Sequence, residues 1–121
     1  MQGLSRKEKG HWAETQAKTH LLNAGLRFVE QNFSCKVGEI DLIFQDQSYL
    51  VFIEVRHRQS GAPVSAQQSI DPRKQRKIRK TAEYFLQKHP AWRQHYGRFD
   101  VICVTSEYNA HDLQWIQNAF E

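Results

Sequence analysis

The chain has 121 residues, with 17 Lys and Arg against 13 Asp and Glu (a formal charge of +4), 40% hydrophobic and 25% charged residues. That length suits a single domain over residues 1–121, large enough to bury roughly two-thirds of its unfolded surface without staples. No run reaches the ~20 apolar residues of a bilayer-crossing helix, Met1–Gly10 lacks the apolar centre of a signal peptide, and Cys35 and Cys103 make neither a disulfide framework nor a zinc ribbon, so a cytoplasmic protein with no membrane partner is expected.

Helical spacing of Ala13, Ala17, Leu21 and Ala24 predicts a first helix from about Leu4 to Ala24, stopped by Gly25. Three strands follow: Leu26–Phe33, Glu39–Gln45 after a Val37–Gly38 turn, and Tyr49–Arg56 after Asp46–Ser48. Links this short predict an antiparallel meander. A loop over Gln59–Ile70, with Gly61, Pro63 and three serines, leads to a second helix. Asp71 and Pro72 open that helix, and Ile78, Ala82, Phe85 and Leu86 form its apolar stripe up to about Lys88. Arg98–Thr105 reads as a strand buried on both faces, and Leu113–Ile116 as a short fifth strand. The order αβββαβ(β) predicts an α/β (α+β) fold, a mixed sheet flanked by helices. A strand–helix–strand unit places its two strands parallel.

Side chains alternate along a strand, so Glu39 and Asp41 are expected on one face of the second strand. On the third, Phe52, Glu54 and Arg56 point one way and Val51, Ile53 and Val55 the other. Pairing these strands would bring three carboxylates and a cation together. Oxygen ligands of that kind suit Mg²⁺ or Mn²⁺. Glu14, at the rim of the first helix's apolar stripe, is placed to join them. The competing reading pairs the acids with Arg56 and leaves no metal, because a buried carboxylate needs some cation.

Charge is unevenly spread. Arg56 to Lys80 holds eight basic residues and one acid, Asp71, so this segment is basic and the remainder mildly acidic. Arg58, Arg73, Lys74, Gln75, Arg76, Lys77 and Lys80 form a candidate phosphate-binding face. Such crowding of like charges is unfavourable in an isolated helix, and an anionic ligand offsets it. Nothing in the sequence has the form of a base-reading helix or zinc finger.

The runs Gly38-Glu39-Ile40-Asp41-Leu42-Ile43, Phe52-Ile53-Glu54-Val55-Arg56, Arg73-Lys74-Gln75 and Arg98-Phe99-Asp100-Val101 resemble the bacterial UPF0102 (YraN-like) family across nearly the whole chain. That family is similar to the restriction-endonuclease-like PD-(D/E)xK superfamily, particularly to Holliday-junction resolvases. The resemblance implies an endonuclease-like fold and a Mg²⁺ or Mn²⁺ ion held by Asp41, Glu54 and the Val55 carbonyl, with Glu14 and Glu39 assisting. It also implies phosphodiester hydrolysis on nucleic acid, DNA rather than RNA, on branched or junction substrates, by a homodimer. Arg56 stands where the superfamily has lysine. Arginine stays protonated, so it can position phosphate but cannot act as a general base. Lys74, on the sheet-facing side of the second helix, is the expected substitute. Two further readings stay open: a non-catalytic nucleic-acid-binding module with a degenerate nuclease site, and a protein-interaction factor.

Overall fold

A computed structural model describes residues 3–59, 70–107 and 110–121. Helix α1 spans Arg6–Asn23, slightly shorter at both ends than the apolar spacing suggests. Ser5 fixes the start: its hydroxyl accepts from the Glu8 N–H while Glu8 accepts from the Ser5 N–H, satisfying two otherwise orphaned donors. At the other end Gly25 takes a φ of 93°, and the Gly25 and Leu26 N–H groups donate back to Leu22 and Leu21. This glycine stop turns Leu26 inward onto the same core as Leu21.

Strands β1 (Arg27–Cys35), β2 (Gly38–Asp46) and β3 (Tyr49–Gln59) form the meander. Helix α2 (Pro72–Lys88) leads through a short 3₁₀ turn, Pro90–Trp92, to β4 (Tyr96–Glu107) and β5 (Ala110–Phe120). The expected loop over Gln59–Ile70 lies, between residues 60 and 69, outside the described residues. The five strands lie side by side in chain order. All neighbours are antiparallel except β3 and β4, which run parallel across α2. The protein is thus an α+β fold with a mixed sheet, in the order αβββαββ.

The fifth strand corrects the expectation from sequence. Leu113–Ile116 is only the middle of an 11-residue strand that pairs with β4 from Glu107↔Ala110 to Phe99↔Phe120. Its polar residues break the apolar run, but backbone pairing with β4 extends it past them.

The helices cover opposite faces. Ala13, Ala17 and Leu21 of α1 pack on Leu42, Phe44, Val51, Ile53, Ile102 and Val104. Ile78, Ala82 and Phe85 of α2 pack on Ile43, Leu50, Phe52, Val101 and Cys103. Strand β4 therefore alternates between two cores, which accounts for its continuous apolar run. Asp71 caps α2 by accepting from the Lys74 N–H at 2.8 Å. Gly38 lets the same helix sit tight on the sheet. A Cβ there would lie 3.0 Å from Thr81 Oγ1 and 3.6 Å from Lys77 Cβ.

Candidate active site

The β2–β3 ladder runs from Asp46↔Tyr49 to Leu42↔Ile53 and stops one step short of Asp41 and Glu54. Beyond that point, side-chain alternation in β2 is interrupted. Leu42 and Phe44 face α1, whereas Ile40 and Ile43 both face α2. Opposite this step in β1, between the pairs Gln31↔Leu42 and Phe33↔Ile40, Asn32 adopts a φ of 55°. Past this point β2 continues to pair with β1 and no longer pairs with β3.

Asp41 fills the parting. Its Oδ2 accepts from the Val55 N–H at 2.7 Å, standing in for the missing strand carbonyl. In an extended strand a residue's N–H and C=O point to the same edge, so the Val55 carbonyl faces this opening as well. Glu54, only 7% exposed, projects on the α2 side, where Phe52 precedes it in the alternation. Two cations approach its Oε1: Arg56 Nη1 at 3.4 Å and Lys74 Nζ at 3.5 Å. Helix α2 thus delivers Lys74 to the carboxylate of the neighbouring β3.

Burial, more than the charges beside them, sets the proton affinity of these carboxylates. Burial, then the neighbouring Glu54 carboxylate, pushes Asp41 up to about 8; Glu14 and Glu39 add to the push, and the Val55 N–H opposes it. Burial also raises Glu54, against the pull of Lys74 and then Arg56. Glu14, half-buried on α1, is raised chiefly by burial, although His11 and the side chains of Gln31 and Asn32 oppose it. Its Oε1 is buried and has no hydrogen-bond partner among the described residues. Glu39 is exposed at the rim and acts on Asp41 and Glu14 through its charge.

The donor set is therefore two carboxylates with a strand carbonyl beside them. Among the described residues no three His, Cys, Asp or Glu side chains come close enough to enclose an ion. Oxygen-only ligation by one or two carboxylates fits a hard ion that keeps most of its water, as Mg²⁺ does, and does not fit a protein-caged metal such as zinc. A cation here would also relieve the raised carboxylates.

On α2, Arg73, Arg76, Lys77 and Lys80 are exposed, while Lys74 is drawn to Glu54. Gln75 turns away from the acids, its Nε2 donating to the Ile70 carbonyl at 2.9 Å. Arg58 lies half-buried at the end of β3, beside Arg56 and His57 around a shallow depression. Burial lowers the His57 pKa, with a smaller push from Lys9.

Sequence reasoning assigned no role to Asp100, although an acid inside the apolar run Phe99–Val104 is itself a signal. Asp100 is 1% exposed and accepts from Arg98 Nε and Nη2, from Trp115 Nε1 and from the Asn118 N–H, all at 2.9–3.0 Å. It ties β4 to β5 and has no acceptor capacity to spare.

Comparison with known sequences agrees with the runs quoted above. The family model described as Uncharacterised protein family UPF0102 matches residues 13–104. A UPF0102 protein of Stutzerimonas stutzeri is 48% identical over 112 residues, covering 93% of each chain. One from Pseudomonas syringae pv. syringae is 44% identical over 100% of this chain and 99% of its own. A third, from Acinetobacter baylyi, is 40% identical over 99% and 94%.

Proposed function

The chain belongs to the UPF0102 family, and from that premise we propose that it is a Mg²⁺- or Mn²⁺-dependent nuclease-like protein acting on nucleic acid, with branched DNA as the substrate class. The observation that carries the reading is the Asp41–Glu54 pair, a half-buried and a buried carboxylate brought together where β2 stops pairing with β3, with Asp41 held by the Val55 N–H. A bound divalent ion would neutralise charge on a phosphodiester and lower the pKa of its water. Asp41, held by the Val55 N–H, Glu54 and the Val55 carbonyl would hold that ion, with Glu14 and Glu39 adding negative charge.

Arg56 and Lys74 divide the cationic work. Arg56 remains a guanidinium and presents a planar donor fork to a phosphate. Lys74 carries three donors on a flexible stem, suited to orienting a water or a non-bridging oxygen. The exposed basic residues of α2 add sequence-independent attraction to the backbone.

Titrating Mg²⁺ and Mn²⁺ against linear, single-stranded and four-way-junction DNA, with binding and cleavage measured separately, tests this reading. Cleavage is expected, and Asp41→Asn and Glu54→Gln each abolish it without loss of fold. Lys74→Ala lowers its rate by ~10²-fold or more, the scale of a group that handles a proton or orients a water. Undiminished cleavage by Lys74→Ala removes the lysine from the mechanism.

One observation favours a second reading. Arg56 and Lys74 both lie against Glu54 and supply it with positive charge without any metal. Salt-sensitive DNA binding with neither cleavage nor metal affinity would select a non-catalytic nucleic-acid-binding module.

A further inference from the structure

The cations of α2 fall on two stripes. Arg73 and Arg76 are exposed on the outer face, whereas Lys74 and Lys77 turn towards the β1–β2 turn, and Lys80 lies beside the turn residues Lys36 and Val37 further along the helix. Between that turn and the helix runs an open groove of about 440 Å³, lined among others by Lys36, Gly38, Glu39, Lys74, Lys77 and Ile78. Lys36 comes from outside the basic segment, from the two-residue turn between β1 and β2.

We infer that this groove is a second phosphate subsite, taking the nucleic-acid backbone next to the phosphate at the acid pair. The inference rests on the nucleic-acid reading above and adds the path of the strand. Three observations support it. The groove is continuous with the acid pair, because Lys74 lines it and also lies 3.5 Å from Glu54, while Glu39 lines it and acts on Asp41. Its cations are available: Lys36 and Lys77 are exposed, and neither makes an ion pair with a described residue. Gly38 keeps the groove's wall bare, since a Cβ there would lie 3.0 Å from Thr81 Oγ1 and 3.6 Å from Lys77 Cβ.

Chemistry selects the ligand. Three lysines against one glutamate leave a net positive trough, open along its length and too shallow to enclose a small molecule. An extended polyanion whose charges repeat along a chain satisfies that shape. The strand then crosses the turn–helix groove on its way to Asp41 and Glu54, and the outer stripe of α2 contributes only diffuse attraction.

Two double variants that each remove two exposed cations separate the paths: Lys36→Ala/Lys77→Ala for the groove and Arg73→Ala/Arg76→Ala for the outer stripe. Binding of a short fluorescent DNA duplex is measured in EDTA over a series of salt concentrations, with melting curves to verify folding. The groove pair is expected to flatten the plot of log K against log salt by about 1.8 units of slope, the loss of two phosphate contacts on a duplex. The outer pair should flatten it less. An equal or greater loss from the outer pair, or no loss from the groove pair, overturns the subsite while the nucleic-acid reading stands. Wild-type protein that binds no duplex at low salt overturns both.

Discussion

Asp100 and the Asp41–Glu54 pair are acids set into the same sheet, and their surroundings differ in kind. Asp100 receives four hydrogen bonds, two of them from the Arg98 fork, which itself reaches on to Asp46 at 3.1 Å. Among the described residues Asp41 accepts one hydrogen bond, from a backbone N–H, and the cations near Glu54 stand at 3.4–3.5 Å, the outer limit of useful contact. The first site is closed by the fold. The second leaves carboxylate oxygens without a close donor among the described residues. The saturated carboxylate holds two strands together, and the unsaturated pair retains acceptor capacity.

Removing the saturated acid should have the largest effect. Asp100→Ala strips Arg98, Trp115 and the Asn118 N–H of their shared acceptor and leaves a half-buried guanidinium with Asp46 as its remaining carboxylate. A loss of ~3–5 kcal/mol is expected, read as a lowered urea midpoint at constant slope. A loss below ~1 kcal/mol would mean that the two sites do not differ as described.

The unsaturated pair should respond to pH in the opposite sense from an ordinary stabilising ion pair. Folding raises Asp41 from its usual 3.8 to about 8, and Glu54 is raised too, so the folded state holds protons more tightly than the unfolded chain. Stability from this source is complete below pH ~4 and is lost as pH rises towards about 8, by as much as ~1.4 kcal/mol per pH unit for each proton. Asp41→Asn, whose amide oxygen can still accept from Val55, should flatten the profile and match or exceed wild-type stability at alkaline pH. Mg²⁺ should restore wild-type stability there, by ~2.7 kcal/mol at 100 times its Kd, and do nothing for the Asn variant. Thermal melts from pH 5 to pH 9, with and without Mg²⁺, measure all three.

The smallest effect belongs to the groove beside the pair. Gly38→Ala places a methyl 3.0 Å from Thr81 Oγ1 and should cost ~1–2 kcal/mol as α2 shifts outward. Pairing it with Thr81→Ser should leave that cost, since the hydroxyl remains. Pairing it with Thr81→Ala should recover part of it. Denaturation midpoints of the three variants give the ranking.

Much of this was legible in the sequence, for physical reasons that also explain the rest. Alternation in β3 separates Phe52 and Glu54 from Val51 and Ile53 cleanly, because that strand is regular and lies in the middle of the sheet. The same rule put Glu39 beside Asp41 on one face, yet Glu39 is exposed at a groove rim. The rule assumes an unbroken pleat, and β2 breaks it at Asp41, opposite the left-handed Asn32. The helical wheel placed Lys74 on the sheet side of α2, but no wheel could bring Lys36 to that helix. They meet across a turn in which Gly38 faces Thr81 and Lys77 of the helix.

The coincidence of spatial and chain order in the sheet bears on how the molecule is built during synthesis. Asp41 and Glu54 lie 13 residues apart on a hairpin joined by a two-residue turn, so their juxtaposition needs only local closure. Lys74 arrives from farther along the chain, and the parallel β3–β4 pairing has to close a much longer loop before it is rewarded. On that ordering the two acids meet before their lysine emerges, and the nascent hairpin passes through a stage at which its carboxylates are exposed to solvent ions with no side-chain counterpart from α2.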